Sequence, residues 1–292
     1  MKNIPKADLH MHIGGSYPLG YIRTITSKQE FLSLEESLNQ IKQKGTDYDS
    51  VFKVFSLLKK IINAEERVHN GTRAILDLLK QDNVVYAELR TFLKDFGNGL
   101  ESHLVSILSA MENSDSKLLL SLAKTSSEKY ALETIRLASK YPQVVGIDVC
   151  ENEKEGKLED ILTYLLIAKE TGLKLTVHLG EVKDKDPYKI IRKIKPDRIS
   201  HAVFLSEQTR DYILETKTPI EICLSSNLGT GLVRNIAEHA MNAYKSNPLI
   251  ICTDDPLIFS TSLSQEYEKL DGSYILENLV ANSFKYSFKG VK

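Results

Sequence analysis

The stretch Leu173-Lys174-Leu175-Thr176-Val177-His178-Leu179-Gly180-Glu181 sets the pattern for the whole chain. It begins with an apolar run that is typical of a buried strand, and the strand gives way to a loop at the glycine. A histidine and a glutamate stand at this strand end. Neutral imidazole is the commonest metal ligand, and a glutamate with a shifted pKa can transfer protons. The stretch therefore predicts one edge of a polar site.

Seven other short apolar runs have the same strand-like character, and helical patterns separate them. The eight predicted strands cover residues 7–12, 84–89, 117–122, 144–149, 173–177, 198–201, 220–224 and 249–252. Strands that alternate with helices are typical of parallel βαβ units, and a closed eight-stranded barrel takes about 250 residues. We therefore predict an α/β fold in which residues 1–292 form one (β/α)8 TIM barrel domain.

The first connection, after residue 12, is unusually long and helical in pattern. Helices are predicted at residues 51–62 and 64–81, and further along the chain at 130–141, 159–171, 237–244 and 273–283. We expect the extra helices of the first connection to cover the mouth of a site. The alternative fold, an open doubly wound sheet, usually has a Gly-rich first turn for phosphate. Here the first strand ends in His10-Met11-His12, which favours the barrel.

Composition limits the partners and the compartment. Hydrophobic residues make up 42% and charged residues 26% of the chain, and the net charge is −1. These values are typical of a soluble globular protein and give no reason to expect nucleic acid or membrane as a partner. The sequence contains no targeting segment and no apolar run of membrane-spanning length, so we expect a cytoplasmic protein. Cys150, Cys223 and Cys252 are predicted to be free, buried thiols. The oligomeric state is not indicated.

Three strand ends carry groups that suit a metal site. His10 and His12 are two residues apart on the first strand and therefore point to the same side. His178 follows the fifth strand, and Asp254 follows the eighth. A lone His-x-His is often structural, and an aspartate after a strand is often a helix N-cap. In a parallel barrel, however, these ends share one rim.

His10, His12, His178 and Asp254 then form an N3O ligand set suited to one zinc or a similar divalent ion. Such an ion makes bound water acidic enough to ionise near neutral pH. Glu181, His201 and Asp255 lie on the same rim and can transfer or orient protons. The sequence therefore predicts a site for metal-assisted hydrolysis.

The chain resembles the adenosine deaminase family of the amidohydrolase superfamily, a family of metal-dependent hydrolases. The resemblance runs nearly end to end, and these segments carry it: Pro5-Lys6-Ala7-Asp8-Leu9-His10-Met11-His12, Tyr86-Ala87-Glu88-Leu89-Arg90, Val177-His178-Leu179-Gly180-Glu181, Arg198-Ile199-Ser200-His201 and Cys252-Thr253-Asp254-Asp255-Pro256. Details such as Glu88-Leu89-Arg90-Thr91 are more similar to the branch that acts on N6-substituted AMP than to the adenosine branch.

The resemblance implies a zinc-dependent hydrolytic deamination of adenosine or N6-substituted AMP to the 6-oxopurine. One Zn²⁺ per chain would be held by the four ligands named above. Glu181 would protonate purine N1, His201 would position and deprotonate the attacking water, and Asp255 would hold that water or purine N7. The substrate-binding residues would be Gly14, Glu151, Gly180 and Asp255. Binuclear relatives need a lysine after the fourth strand, and its absence here favours one metal ion.

Three departures from the family pattern concern the substrate. Gly14 stands where an Asp or Asn usually contacts the sugar, and Glu151 replaces a glycine that lets the backbone approach the purine. Ala202 replaces a glycine after His201. We therefore keep two alternatives open. One is a substrate-shifted family member or an amidohydrolase acting on a different amino-heterocycle. The other is a non-catalytic relative, which would not need Glu181 and His201.

The remaining polar residues are given structural roles. His69, His103 and His239 are assigned to predicted helices away from the rim, as surface or packing histidines. Glu88 and Arg90 alternate on the second strand, and we expect them to support the barrel interior through ion pairs. Residues 183–186 are predicted to be a solvated loop; contact with a substrate phosphate is the alternative.

Overall fold

The computed structural model describes residues 1–44, 48–183 and 187–289, so most of the predicted loop at residues 183–186 lies outside the described residues. Eight parallel strands pair in chain order. They are β1 (Lys6–His12), β2 (Val84–Thr91), β3 (Lys117–Leu122), β4 (Val144–Val149), β5 (Lys174–Leu179), β6 (Arg198–His201), β7 (Ile220–Ile222) and β8 (Leu249–Ile251). Strands β3, β4 and β6 have the predicted bounds, and the bounds of the other five differ from the predicted ones by a residue or two.

Strand β1 and the segment that follows β8 bring the barrel to closure. The backbone N–H of Asp254 donates to the carbonyl of His10 (2.8 Å), and the N–H of His12 donates to the carbonyl of Asp254 (2.9 Å). The predicted (β/α)8 TIM barrel is therefore confirmed. Three of the predicted site residues, His10, His12 and Asp254, form these closing hydrogen bonds. Closure of the barrel itself therefore brings their side chains together.

Helices surround the sheet and also fill the first connection. They are α1 (Leu19–Ile25), α2 (Lys28–Lys44), α3 (Tyr48–Ile61), α4 (Glu65–Gln81), α5 (Leu100–Ala110), α6 (Glu128–Lys140), α7 (Leu162–Glu170), α8 (Tyr188–Ile194), α9 (Glu207–Thr216), α10 (Leu224–Gly229), α11 (Pro256–Phe259), α12 (Leu263–Glu268) and α13 (Leu276–Lys285). The first four belong to the first connection, as predicted. Tyr48, Phe52 and Phe55 of α3 line a cavity at the carboxyl ends of the strands.

One predicted helix is wrong. Residues 237–244 do not form an α-helix but fall within two short 3-10 helices, Ile236–Glu238 and Ala240–Tyr244. His239 separates them because its backbone is extended (φ −66°, ψ 135°), and its ring accepts a hydrogen bond from the N–H of Met241. The apolar spacing suggested a helix there, but the extended backbone of His239 ends the first turn and its side chain caps the start of the second.

The barrel interior contains a buried ionic network. Glu221 of β7 accepts from Arg198 Nε (2.6 Å) and Arg90 Nη2 (3.1 Å), while Arg90 Nη1 donates to Asp148 (3.0 Å). Glu88 pairs with Arg198 rather than with Arg90. Burial opposes ionisation of Glu221, but the two arginines outweigh it and hold the pKa of this carboxyl well below its usual range. The expected ion pairs of β2 are present, and they link four different strands.

The three cysteines are free and buried, as predicted. None of the helices within the described residues combines the length and apolarity that a bilayer crossing requires.

Candidate active site

Three imidazole rings meet at the carboxyl end of the barrel. The Nε2 atom of His12 lies 3.2 Å from His10 Nε2 and 3.2 Å from His178 Nε2. The Asp254 carboxylate completes the cluster, because its Oδ1 lies 3.1 Å from His10 Nε2 and 3.4 Å from His12 Nε2. The four residues predicted as metal ligands are therefore brought together, although β1, β5 and the β8 end are far apart in sequence.

The other ring nitrogens show which way two of these rings point their lone pairs. His10 Nδ1 lies 2.9 Å from the Glu221 carboxylate. His178 Nδ1 lies 3.1 Å from the carbonyl of Val149 and 3.2 Å from the Asp148 carboxylate. Carbonyl and carboxylate oxygens only accept, so each Nδ1 carries the proton and each Nε2 presents a lone pair to the cluster. Sequence reasoning gave Asp148 and Glu221 no role here.

The donor set fits a divalent cation. Ligand nitrogens about 2.0–2.1 Å from a tetrahedral zinc ion lie about 3.3 Å from one another. The observed separations of 3.1–3.4 Å match that spacing. Two lone pairs and a carboxylate facing one another at this distance would repel unless a positive charge lay among them. His201 also lies in reach, since it falls within a group of ligand atoms that are all within 4.8 Å of one another.

A second group, made of His12, Asp148 and Cys150, has its ligand atoms within 4.8 Å as well. Burial, and then the charge of Asp148, raise the pKa of the Cys150 thiol well above its usual value. Metal ligation needs the thiolate, and Asp148 is already bonded to Arg90. This group therefore adds no reason to expect a second ion.

The three residues predicted to transfer protons surround the same point. His201 Nε2 lies 3.8 Å from Glu181 Oε1 and 4.0 Å from Asp254 Oδ2. Asp255 is buried, and its Oδ1 has no hydrogen-bond partner among the described residues. A Cβ at Gly15 would lie 1.8 Å from that oxygen. A glycine is therefore required at position 15 for the Asp255 carboxyl to occupy its place.

The backbone at these strand ends is held in an unusual conformation. His201, Ala202 and Asp254 all have positive φ angles, of 65°, 54° and 66°. Residues other than glycine seldom adopt this region, and the cost is of order 1–3 kcal/mol each. The barrel and the hydrogen bonds that join Asp254 to β1 maintain these angles, which turn His201 and Asp254 toward the cluster.

Burial shifts the pKa values of the two candidate acids upward. Desolvation raises the pKa of Glu181 to about 8; the charges of Glu153 and Asp254 add to this, and His178 opposes it. Burial and the adjacent Asp254 raise the pKa of Asp255 well above its usual value. A glutamic acid that is protonated at neutral pH can donate a proton to a bound base.

The loop that carries Glu181 is fixed by a residue that sequence reasoning missed. The Glu153 carboxylate accepts from the N–H of Gly180 (3.1 Å) and from the N–H of Val182 (2.7 Å). Gly180, predicted to bind substrate, has φ +76°, and a Cβ there would approach the backbone of Phe204 at 2.9 Å. Its N–H is engaged by Glu153 rather than directed to the cavity. The motif around Gly180 and Glu181 could not reveal Glu153, because Glu153 lies 27 and 29 residues before its partners Gly180 and Val182.

A cavity of about 640 Å³ extends from the cluster to the surface. Aromatic rings of α3 and of the β2 end form one wall, and Lys59 and Lys94 add positive charge. Gly14, predicted to contact substrate, also lines the cavity, and a Cβ there would have no neighbour within 4 Å. The space that a larger residue would fill at this position is therefore open.

Glu151 also lines the cavity, as expected for a substrate-contacting residue. Its φ is 93°, a conformation that favours glycine, so this loop keeps a glycine-like shape despite the larger side chain. The Glu151 carboxylate lies 3.7 Å from Lys59 Nζ of α3. The side chain thus narrows the cavity and joins the β4 end to the first connection.

Two of the three histidines assigned to structural roles lie closer to the site than predicted. His103 lines the cavity and accepts from the N–H of Lys94 (2.9 Å). His239 is buried and hydrogen-bonds Asn227, which in turn contacts His201. The prediction that both lie away from the rim is therefore wrong: His103 lies on the buried side of α5, and the 3-10 turns bring His239 inward. His69 is on α4, with Nδ1 3.2 Å from the Ser106 carbonyl.

The sequence profile of adenosine deaminase matches residues 5–288, which is nearly the whole chain. The chain belongs to the adenosine deaminase family. Among curated family members, the N6-methyl-AMP deaminase of Danio rerio is 28% identical over 292 residues, covering 91% of this chain and 84% of its own. The N6-mAMP deaminase of Arabidopsis thaliana is 30% identical over 305 residues, covering 91% and 86%.

A solved structure of this adenosine deaminase family has the same fold. Arabidopsis ADAL complexed with IMP is 30% identical and superposes with a TM-score of 0.86, covering 98% of this chain and 93% of that one. The resemblance to the N6-methyl-AMP deaminase branch that the motifs indicated is thereby confirmed.

Proposed function

We propose that this protein catalyses the hydrolytic deamination of a 6-aminopurine nucleotide, N6-methyl-AMP or AMP, to the 6-oxopurine nucleotide. The observation that carries the proposal is the meeting of a His–Asp cluster with Glu181, whose pKa burial raises to about 8, at the inner end of a cavity in a chain of the adenosine deaminase family. IMP, bound in the Arabidopsis structure, is the nucleotide that such a reaction would leave.

One zinc ion per chain would be held by His10, His12, His178 and Asp254, which supply the N3O donors that zinc favours. When bound there, the ion acts as a Lewis acid and lowers the pKa of water in the site. Glu221, 2.9 Å from His10 Nδ1, would keep one ligand imidazole oriented, and the Val149 carbonyl with the nearby Asp148 carboxylate would orient His178.

The chain's own carboxyl groups would move the protons. Glu181 gives its proton to purine N1, which makes C6 electrophilic; water adds to C6, and the amine leaves with a proton. Asp255 lies beside the cluster and would hold the attacking water or purine N7. His201 faces the same point through Nε2. The catalytic set is thus Glu181, His201 and Asp255.

Charge in the cavity favours a nucleotide over a nucleoside. Lys59 and Lys94 both line it, and burial together with the charge of Lys59 lowers the pKa of Lys94 to about 8. A phosphate would supply the counter-charge that this partly buried ammonium lacks. Glu151 opposes this effect, because its negative charge raises the pKa of Lys94, and its carboxylate lies 3.7 Å from Lys59 Nζ. The alternative, deamination of a different amino-heterocycle, rests on Glu151 and the open space at Gly14.

The function is tested by incubating zinc-loaded protein with N6-methyl-AMP, AMP, adenosine and adenine while purine absorbance is followed. We expect conversion of the nucleotides, loss of activity with a chelator, and recovery when zinc is returned. Metal analysis should give one zinc per chain. Conversion of adenine or adenosine alone would contradict the nucleotide assignment, and no conversion of any purine would favour the amino-heterocycle alternative.

Lys94→Gln is expected to raise KM for the nucleotide about tenfold and to leave adenosine-type substrates unchanged. A charge-assisted hydrogen bond is worth about 1.5–3 kcal/mol, which is a tenfold or larger change in affinity. Because the pKa of Lys94 is about 8, the wild-type KM for nucleotide should also rise above that pH. Steady-state kinetics on N6-methyl-AMP and N6-methyladenosine measure both effects. Lys60→Gln, at an exposed residue beside Lys59, is the control.

A further inference from the structure

A chain of hydrogen bonds runs from the backbone through two buried side chains to His201. The N–H of Met241 donates to His239 Nδ1 (3.0 Å). His239 Nε2 lies 2.9 Å from Asn227 Oδ1, and Asn227 Nδ2 lies 3.1 Å from His201 Nδ1. His239 and Asn227 are 1% and 0% exposed, so water does not compete for these bonds.

The direction of each bond follows from the first. A backbone N–H can only donate, so His239 Nδ1 is an acceptor and the ring's proton is on Nε2. Burial lowers the pKa of His239 to about 4, so the ring is neutral, as this arrangement requires. The Asn227 oxygen accepts that proton, and its NH₂ group therefore faces His201. His201 Nδ1 must then be an acceptor too.

An imidazole whose Nδ1 accepts a hydrogen bond carries its proton on Nε2. In His201 this second nitrogen points into the site, is buried, and has no hydrogen-bond partner among the described residues. Its nearest carboxylates are 3.8 and 4.0 Å away. His201 is therefore the opposite tautomer to His10 and His178. In those two rings the Nδ1 proton faces Glu221 or Asp148, and Nε2 presents a lone pair.

We propose that Asn227 and His239 are positioning residues that hold His201 as its Nε2–H tautomer, so that His201 donates a hydrogen bond to the attacking oxygen and neither binds the metal nor removes a proton. The role in the reaction rests on the proposed function, whereas the tautomer does not. The tautomer also decides which imidazoles can bind the metal, since Nε2 of His201 carries a proton and has no lone pair to offer the cluster.

The proton that leaves the attacking water then needs another acceptor. Glu181 becomes a carboxylate once it has given its proton to N1, and its Oε1 is 3.8 Å from His201 Nε2. The water proton would pass to Glu181 and restore its acid form. His201 thus differs from the role that the resemblance implied, in which it deprotonates the water.

The tautomer is measured directly by ¹⁵N NMR of zinc-loaded protein labelled at histidine, with the His201 signals assigned from a His201→Gln spectrum. We expect an unprotonated Nδ1 and a protonated Nε2 in wild-type protein. A proton on Nδ1 would overturn the proposal, whatever the activity. If the expected tautomer is seen but no purine is converted, the positioning by Asn227 and His239 stands and the proposed function fails.

Three variants test the origin of the tautomer. Asn227→Asp replaces the NH₂ donor with an acceptor of the same size, so the proton should move to Nδ1 of His201. We expect kcat to fall about 100-fold, within the usual range for a positioned proton-transfer or hydrogen-bonding group, while KM changes less than about threefold. His239→Gln keeps a donor toward Asn227 and should preserve the wild-type tautomer and most of kcat.

His239→Leu removes that donor and frees the Asn227 amide to rotate, so both tautomers of His201 should appear and kcat should fall. His69→Leu is the matched control, since His69 has no contact with this chain of bonds. Wild-type tautomer and turnover in Asn227→Asp would overturn the proposal, as would equal losses in His239→Gln and His239→Leu. If the variants fail to fold, the wild-type spectrum still decides.

Discussion

Glu181→Gln is expected to lower kcat about 1,000-fold while metal content stays at the wild-type level. The substitution removes the proton that the proposed reaction delivers to purine N1, and general acid catalysis typically contributes 10²–10⁴-fold. Glu181 is not one of the four proposed ligands, and its Oε1 lies 3.8 Å from Nε2 of His201, which is not a proposed ligand either, so the ligands should be undisturbed. Turnover of N6-methyl-AMP and metal analysis are the measurements.

The same variant should be more stable than wild-type protein at alkaline pH. The folded-state pKa of Glu181 is raised from 4.5 to about 8, so the folded state favours the protonated form, and that contribution is lost as pH rises from 4.5 through 8. Each pKa unit corresponds to about 1.4 kcal/mol, so a rise from 4.5 to about 8 should give the metal-free variant a gain on the order of 5 kcal/mol at pH 9. At pH 4 the two proteins should be equally stable.

Urea unfolding of the metal-free proteins at the two pH values measures this difference. Glu155→Gln is a suitable control, since Glu155 also lines the cavity but is exposed and should show neither effect. Retained turnover in Glu181→Gln would mean that another group is the acid. A stability gain that did not depend on pH would indicate a packing effect instead of the removal of a buried charge.

Glu221→Gln should weaken both the fold and the metal site. Glu221 is 0% exposed and pairs with Arg90 and Arg198, and its carboxylate lies 2.9 Å from His10 Nδ1. Removing one partner of a buried ion pair leaves an uncompensated charge, which costs about 3 kcal/mol or more. Loss of the carboxylate that orients a metal-ligating histidine typically reduces metal affinity 10–100-fold.

Glu88→Gln separates these two effects. Glu88 is also 0% exposed and pairs with Arg198, but it has no contact with a predicted metal ligand. Both variants should lose stability in urea unfolding, whereas only Glu221→Gln should lose zinc affinity in competition with a chelator. Equal zinc affinity in the two variants would show that Glu221 does not act through His10.

The fold was predictable because each strand carries a local signal. Strands β3, β4 and β6 have the predicted bounds. The 3-10 turns around His239 were not predictable, because the second turn starts with a hydrogen bond to the His239 side chain. The apolar spacing of residues 237–244 fits a helix equally well.

The residue types of the site were predictable, but the contacts that orient its side chains were not. Spacing by two on β1 and the shared rim of parallel strands place His10, His12, His178 and Asp254 together in any closed barrel. The left-handed backbone at Glu151 and the pairing with Lys59 depend on the first connection. Neither could be derived from the residue alone.

By itself, the sequence determined the barrel, the identity of the groups on its rim and the family, because periodicity and motifs are properties of neighbouring residues. Only the tertiary structure decided which acceptor faces each histidine, that Glu153 holds the Glu181 loop, and that Asn227 and His239 reach His201. Those contacts join residues up to 211 positions apart. They depend on strand register and on how side chains fill the barrel, which no local pattern records.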